Sequence, residues 1–106
     1  MGATNKAVFN QEHVSIAEVA KALAHPARVD ILDYIMKNPG CIANDIVNNI
    51  PLSQPTISQH IKELRLAKLI SAEHHRTSIS YYINLEEWNN SRKTINSFFK
   101  KIKKEK

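Results

Sequence analysis

The sequence predicts a mainly α-helical domain with one small β-hairpin, in the order α-α-α-α-β-β-α. Three observations carry that reading. Before Leu69, apolar residues recur at spacings of three and four through most of the chain, the period of one face of a helix. Between Leu69 and Ile83 the period becomes two, that of a half-buried strand. After Asn84 the helical period returns.

Met1 to about His13 has weak periodicity and reads as a flexible N-terminal arm, residues 1–13. A single domain is expected over 14–103, and 104–106 is the end of a basic tail. Ser15 is a suitable cap for the first helix. Ile16, Val19, Ala20 and Leu23 form its apolar stripe, and Pro26 ends it near His25. Pro26 also suits the first turn of a second helix, where Val29, Leu32 and Met36 form one ridge beside Ile31 and Ile35. Asn38-Pro39-Gly40 is a stop signal. A short third helix is expected from about Ile42 to Asn49, with Ile46, Val47 and Ile50 inward. Only a few residues, ending in the tight Pro51-Leu52 connection, separate it from the next cap, Ser53, which is the spacing of a helix-turn-helix. Two strands follow, Leu69–His74 and Ser78–Ile83, with the hairpin tip at His75–Thr77. Asn84 is placed to cap a last helix beginning near Leu85, with Trp88, Ile95, Phe99 and Ile102 along one side and Phe98 adjacent. A helix-turn-helix followed by a β-hairpin wing is a winged helix.

The fourth helix carries the chemistry. Ile57, Ile61 and Leu64 share one face. Gln54, Pro55, Ser58, Gln59 and Lys62 point elsewhere, and the polar ones offer amides, hydroxyls and an ammonium. Amides pair with adenine edges, and hydroxyls and Lys reach phosphates. An ordinary solvent-facing helix more often mixes Glu with Lys, so this face suits DNA.

The chain has 106 residues, enough for one small domain. Its core is modest, and dimerisation is a natural source of further burial. The apolar fraction of 42% is ordinary for a folded protein and too high for a disordered one. No apolar run approaches a membrane span, and the N-terminus carries no apolar signal region, so a cytoplasmic protein with no membrane partner is expected. The formal charge is +5, but Arg92–Lys106 holds seven basic residues and one acid, leaving −1 for the rest. Such a tail suits nucleic acid or an anionic surface. It equally suits a solubilising helix end, where Lys complements the dipole.

Ala20–Leu32 (AKALAHPARVDIL), Leu52–Ile70 (LSQPTISQHIKELRLAKLI) and Ser80–Ile83 (SYYI) resemble the ArsR/SmtB family of bacterial winged-helix repressors. The resemblance covers about Ile16 to Leu85. It implies a homodimer that binds a palindromic operator in double-stranded DNA and blocks transcription until an effector, not identified by the sequence, releases it. It implies that the fourth helix enters the major groove, that the hairpin reaches the adjacent minor groove, and that the first and last helices form the dimer interface. Ile16, Val19, Leu23, Trp88, Ile95, Phe99 and Ile102 are then the interface candidates. Carried over by position, Ser53, Gln54, Thr56, Ser58, Gln59 and His60 lie at or near DNA, and Lys62 joins them from the chemistry of its face. His60 also borders the Ile57–Ile61 stripe, where a packing histidine is equally at home. Arg76 at the wing tip is the candidate for minor-groove insertion; the alternative is a solvated arginine on a turn. The family usually places Gly at this turn. Thr77 stands there, and a β-branched residue is poor at positive φ, so a differently shaped tip is expected.

Many relatives sense metals, and this sequence lacks their ligands. Cys41-Ile42-Ala43-Asn44-Asp45 offers one thiol where a pair is usual, and the last helix has no His, only Glu86 and Glu87 as carboxylates. His74 and His75, as neighbours on a strand, point to opposite faces. No metal and no cofactor are therefore expected. Cys41 is a redox candidate if its place at a helix start lowers its pKa; the alternative is a small buried hydrophobe. A redox-responsive repressor and a winged-helix module that pairs with another protein remain as rival functions. An enzyme is not indicated: there is no catalytic triad, no phosphate loop and no pair of carboxylates in an apolar setting.

Overall fold

The computed structural model describes residues 8–102. In chain order the elements are α1 (Gln11–Ala22), α2 (Pro26–Lys37), α3 (Ala43–Asn49), α4 (Gln54–Leu66), β1 (Ile70–His74), β2 (Ile79–Ile83) and α5 (Leu85–Phe99). This is the expected order, and most caps fall as expected. Ser53 accepts the Thr56 N–H at the start of α4, Asn84 accepts the Glu87 N–H at the start of α5, and Pro26 opens α2.

Two boundaries differ. α1 begins at Gln11, because Asn10 rather than Ser15 is its cap: the Asn10 carboxamide oxygen accepts the Glu12 N–H at 2.7 Å and the His13 N–H at 3.4 Å. Residues 11–13 thus belong to the helix and not to an arm; residues 1–7 and 103–106 lie outside the described residues. α5 stops at Phe99, capped by Lys100, so Ile102 follows the helix rather than riding on it.

The core forms where α2, α3 and α4 meet under the hairpin. Ile31, Leu32 and Ile35 from α2, Ile46 from α3, and Ile57, Ile61 and Leu64 from α4 are buried, joined by Leu69, Ile70 and Tyr81. Val29 and Met36, expected on the inward ridge of α2, are instead exposed. The apolar band of α2 is wider than the face that can touch neighbours, and Arg28 takes the inward place one turn before Leu32.

The hairpin pairs Ile70 with Ile83 and His74 with Ile79. Its antiparallel ladder is extended by a bridge between Cys41 and Tyr81. There the Gly40 N–H donates to the Tyr81 carbonyl and the Tyr81 N–H donates to the Cys41 carbonyl, both at 2.8 Å. Gly40 has φ +87° and lies against the Tyr82 ring, where a Cβ would approach the hydroxyl to 3.3 Å. The α2–α3 loop therefore fastens the wing to the helical core. α4 ends in a Schellman motif: the Lys68 N–H donates to the Arg65 carbonyl and the Leu69 N–H to the Leu64 carbonyl. Lys68 supplies the left-handed residue, with φ 65°.

Among the described residues, no helix is long and apolar enough to cross a membrane.

Candidate nucleic-acid interface

α4 has two chemically distinct sides. Ile57, Ile61 and Leu64 are buried. Ser53, Gln54, Thr56, Ser58, Gln59 and Lys62 are all exposed. The cap of α4 engages two of these hydroxyls with each other: the Ser53 hydroxyl donates to Thr56 Oγ1 at 3.0 Å. Ser53 has thereby committed its only donor, while the Thr56 hydroxyl keeps a proton to offer. Gln59 donates from its amide to the Glu63 carboxylate at 3.2 Å. Gln54 stands in the first turn, where the helix dipole and unpaired N–H groups favour phosphate nearby.

Lys62 and Arg65 line a shallow groove of about 400 Å³ with Ser58, Ile61, Ala43 and Tyr81. Arg65 was absent from the sequence-based set. Its signal is the three-residue step from Lys62, which puts two cations on one side of the helix.

At the wing tip, Arg76 is exposed beside Thr77. The turn closes with the His75 N–H donating to the Ser78 carbonyl at 2.8 Å. Among the described residues, the positive φ angles belong to Lys68 and Gly40. Thr77 therefore sits in a tip that asks for no left-handed residue, which is how a β-branched side chain is accommodated there.

His60 is half-buried. Its Nδ1 accepts a hydrogen bond from Arg28 Nε at 3.0 Å, and its ring lies 5.6 Å from that of His25. Desolvation, the Arg28 charge and the His25 ring together hold its pKa below the usual histidine value. Arg28 was missed by sequence reasoning. Its signal is its register: with Ile31, Leu32 and Ile35 it occupies successive positions of the buried stripe.

Cys41 is buried against β2. Burial, and then the negative charge of Asp45, push its thiol above the usual range, against a smaller lowering by a backbone hydrogen bond. The condition for a redox role, a lowered pKa, is not met, and the buried position is that of the alternative reading, a small hydrophobe. Such a thiol is a poor nucleophile, so the structure gives the redox candidate no support. Among the described residues there is no group of three or more His, Cys, Asp and Glu side chains that could hold a metal ion.

The interface candidates divide. Val19 is 8% exposed and packs in the subunit's own core. Trp88 and Ile95 pack partly against that core, and Ile16 is half-buried. Leu23, Phe99 and Ile102 are open to solvent, together with Phe9, Leu66 and Phe98.

A two-sided helix at the end of a helix-turn-helix, followed by a wing with a basic tip, defines the class: a winged helix-turn-helix DNA-binding domain. Comparison with known proteins gives the family. Residues 25–72 match the family described as "Bacterial regulatory protein, arsR family". The transcriptional repressor SdpR of Bacillus subtilis is 38% identical over 64 residues, which are 60% of this chain and 69% of SdpR. An ArsR-like transcriptional regulator from Rhodococcus sp. RHA1 has a TM-score of 0.74 at 21% identity, over 84% of this chain and 83% of its own. The homodimeric winged helix-turn-helix DNA-binding domain Mb0332 of Mycobacterium bovis has a TM-score of 0.68 at 20% identity, over 97% of this chain and 93% of that one. Some relatives are much longer: the matched stretch is 19% of an HTH-type transcriptional regulator of Methanocaldococcus jannaschii. The chain belongs to the ArsR family of bacterial regulatory proteins, which are non-enzymatic, DNA-binding transcriptional regulators.

Proposed function

We propose that the protein is a homodimeric, cytoplasmic transcriptional repressor that reads a palindromic operator. Each subunit presents α4 to the major groove of one half-site and Arg76 to the neighbouring minor groove. The observation that carries this reading is the exposure of Gln54, Ser58, Gln59 and Lys62 on one side of α4, while Ile57, Ile61 and Leu64 lock the other side into the core. Gln54 and Gln59 supply amide recognition, Thr56 and Ser58 hydroxyls to phosphate or base, and Lys62 and Arg65 charge. Half-site centres are then about one helical turn apart, or a multiple of it.

The second subunit is expected against α1 and the end of α5. Phe98 meets His13 edge to face, with ring centroids 6.1 Å apart, so the two helices converge there. Phe9, Phe99 and Ile102 remain uncovered beside them. An apolar surface of this kind on a small domain marks an interface.

Genomic DNA selection with purified protein at about physiological salt, followed by footprinting, tests the reading. Enrichment of a palindrome with helical-turn spacing supports it and names the regulated genes. No enrichment from a folded dimer overturns it in favour of a protein-interaction module. Gln54→Ala is expected to weaken operator binding by about 1–3 kcal/mol while leaving random-sequence DNA nearly unchanged. Removing Lys100 to Lys106 is expected to weaken both alike. Equal losses on both DNAs for Gln54→Ala would remove it from base reading.

A further inference from the structure

Arg28 is a guanidinium inside the domain, only 9% exposed, and its acceptors are neutral. Nη1 donates to the Lys21 carbonyl near the end of α1 at 3.3 Å. Nε donates to His60 Nδ1 in the middle of α4 at 3.0 Å. One side chain of α2 therefore joins α1 to the helix that carries the DNA-facing polar groups. His60 sits directly after Ser58 and Gln59 in that helix.

We propose that Arg28 is a positioning residue for DNA reading, tying α4 to the end of α1 through His60, and that the tie holds only while His60 is neutral. This rests on the DNA-reading role of α4 given above. Arg cannot give up its proton in a protein, and Nε has one N–H to offer. The Nδ1 that receives it must carry a lone pair, so the ring proton of neutral His60 is on Nε2. A proton taken from solvent in acid binds Nδ1 and removes that lone pair. The guanidinium then faces an N–H donor and a second positive charge. The two groups that bring charge to the ring, Arg28 and His25, both oppose its protonation. Arg28 and His25 approach from α2 and its cap. Lys21 contributes its carbonyl to Arg28 from α1. Glu63, one turn further along α4, is hydrogen-bonded to Gln59. The lowered pKa of His60 agrees with this geometry. It also fixes the sign of the linkage. The folded state binds its proton less readily than the unfolded chain, so stability from this group is intact above the usual value of 6.5 and falls as the pH drops below it.

The first test needs no DNA. Histidine ring nitrogen correlations by NMR are expected to show the Nε2–H tautomer for His60 at neutral pH and a titration midpoint below 6.5. Arg28→Met is expected to raise that midpoint, because it removes both the donor and the adjacent charge. A Nδ1–H tautomer, or a midpoint unmoved by Arg28→Met, overturns the proposal.

The second test uses the duplex recovered by genomic selection. Asn places a carboxamide oxygen close to the Nδ1 position and does not titrate, so His60→Asn keeps an acceptor for Arg28. From neutral pH to one unit below the His60 midpoint found by NMR, the native protein is expected to lose operator affinity by about fivefold more than His60→Asn does. Arg28→Met is expected to bind the operator weakly at both pH values. If Arg28→Met fails to fold, the comparison of native protein with His60→Asn still decides. Identical pH profiles for those two overturn the proposal. If no duplex is bound at neutral pH, the DNA-reading function fails, whereas the NMR titration still reports whether the Arg28–His60 tie exists.

Discussion

α4 and α5 are both helices with a clear apolar stripe, yet they end in opposite states. α4 buries Ile57, Ile61 and Leu64. α5, two residues longer, buries none of its residues. Its Trp88 and Ile95 lean on the core, while Phe99 is 72% exposed and Ile102, just beyond the helix, 82%. The two helices spend apolar surface differently. The stripe of α4 is consumed within the subunit, which leaves the opposite, polar side exposed. The stripe of α5 is consumed as far as Ile95, and only its end, at Phe98 and Phe99, is offered outward beside α1. An amphipathic pattern thus identifies a buried face without telling which molecule buries it.

The contrast can be broken at its buried end. Ile57 is fully enclosed, and truncating such a residue costs transfer energy plus a cavity. Ile57→Ala is expected to destabilise the fold by about 3 kcal/mol, measured by chemical unfolding at fixed protomer concentration. A loss under about 1 kcal/mol would mean that α4 is not held by its stripe.

At the other end, Phe99→Ala should leave the subunit's fold almost untouched and act on association. Dimer dissociation measured by analytical ultracentrifugation is expected to increase by tenfold or more, about 1.4 kcal/mol, with an unchanged helical spectrum. If the subunit loses stability instead, α5 belongs to the core after all. If neither changes, dimerisation uses another surface.

How much of this was legible differs between the two helices for physical reasons. The limits of α4 could be read because Ser53, Pro55 and the apolar repeat agree with one another. The start of α1 could not, because Asn10 and Ser15 are both good caps, and the choice is made by which one reaches the next N–H groups. Val29 and Met36 looked inward because periodicity marks a band, while only contact with α3, α4 and the hairpin narrows it to Ile31, Leu32 and Ile35. In the candidate site, the spacing of polar residues foretold which side of α4 is exposed. It did not foretell that Ser53 and Thr56 engage one another, nor that Gln59 pairs with Glu63. The Arg28–His60 bond spans 32 residues, beyond any local pattern. For Cys41 the local pattern left two readings open, a helix-start thiol with lowered pKa or a small buried hydrophobe, and only packing decides between them: burial raises the pKa.

The smallest expected effect lies at the junction between α4 and the wing, where backbone strain can be relieved without touching either face. Lys68 has φ 65°, a conformation in which an L-residue's Cβ crowds the following carbonyl at a cost of about 1–2 kcal/mol. It persists because the Schellman hydrogen bonds to the Leu64 and Arg65 carbonyls require it. The Lys68 side chain is exposed, so little packing is lost when it is removed. Lys68→Gly is expected to stabilise the fold by about 1 kcal/mol, the relief of strain less the greater backbone entropy of unfolded glycine. It should leave the helix content and the dimer unchanged, and thermal unfolding measures it. A decrease in stability would mean that the lysine makes a contribution larger than the strain it imposes. DNA binding sharpens the result. Removing one exposed cation near the wing lowers the salt dependence of binding by about one unit only if that cation meets a phosphate, so an unchanged salt slope assigns Lys68 to shaping the turn alone.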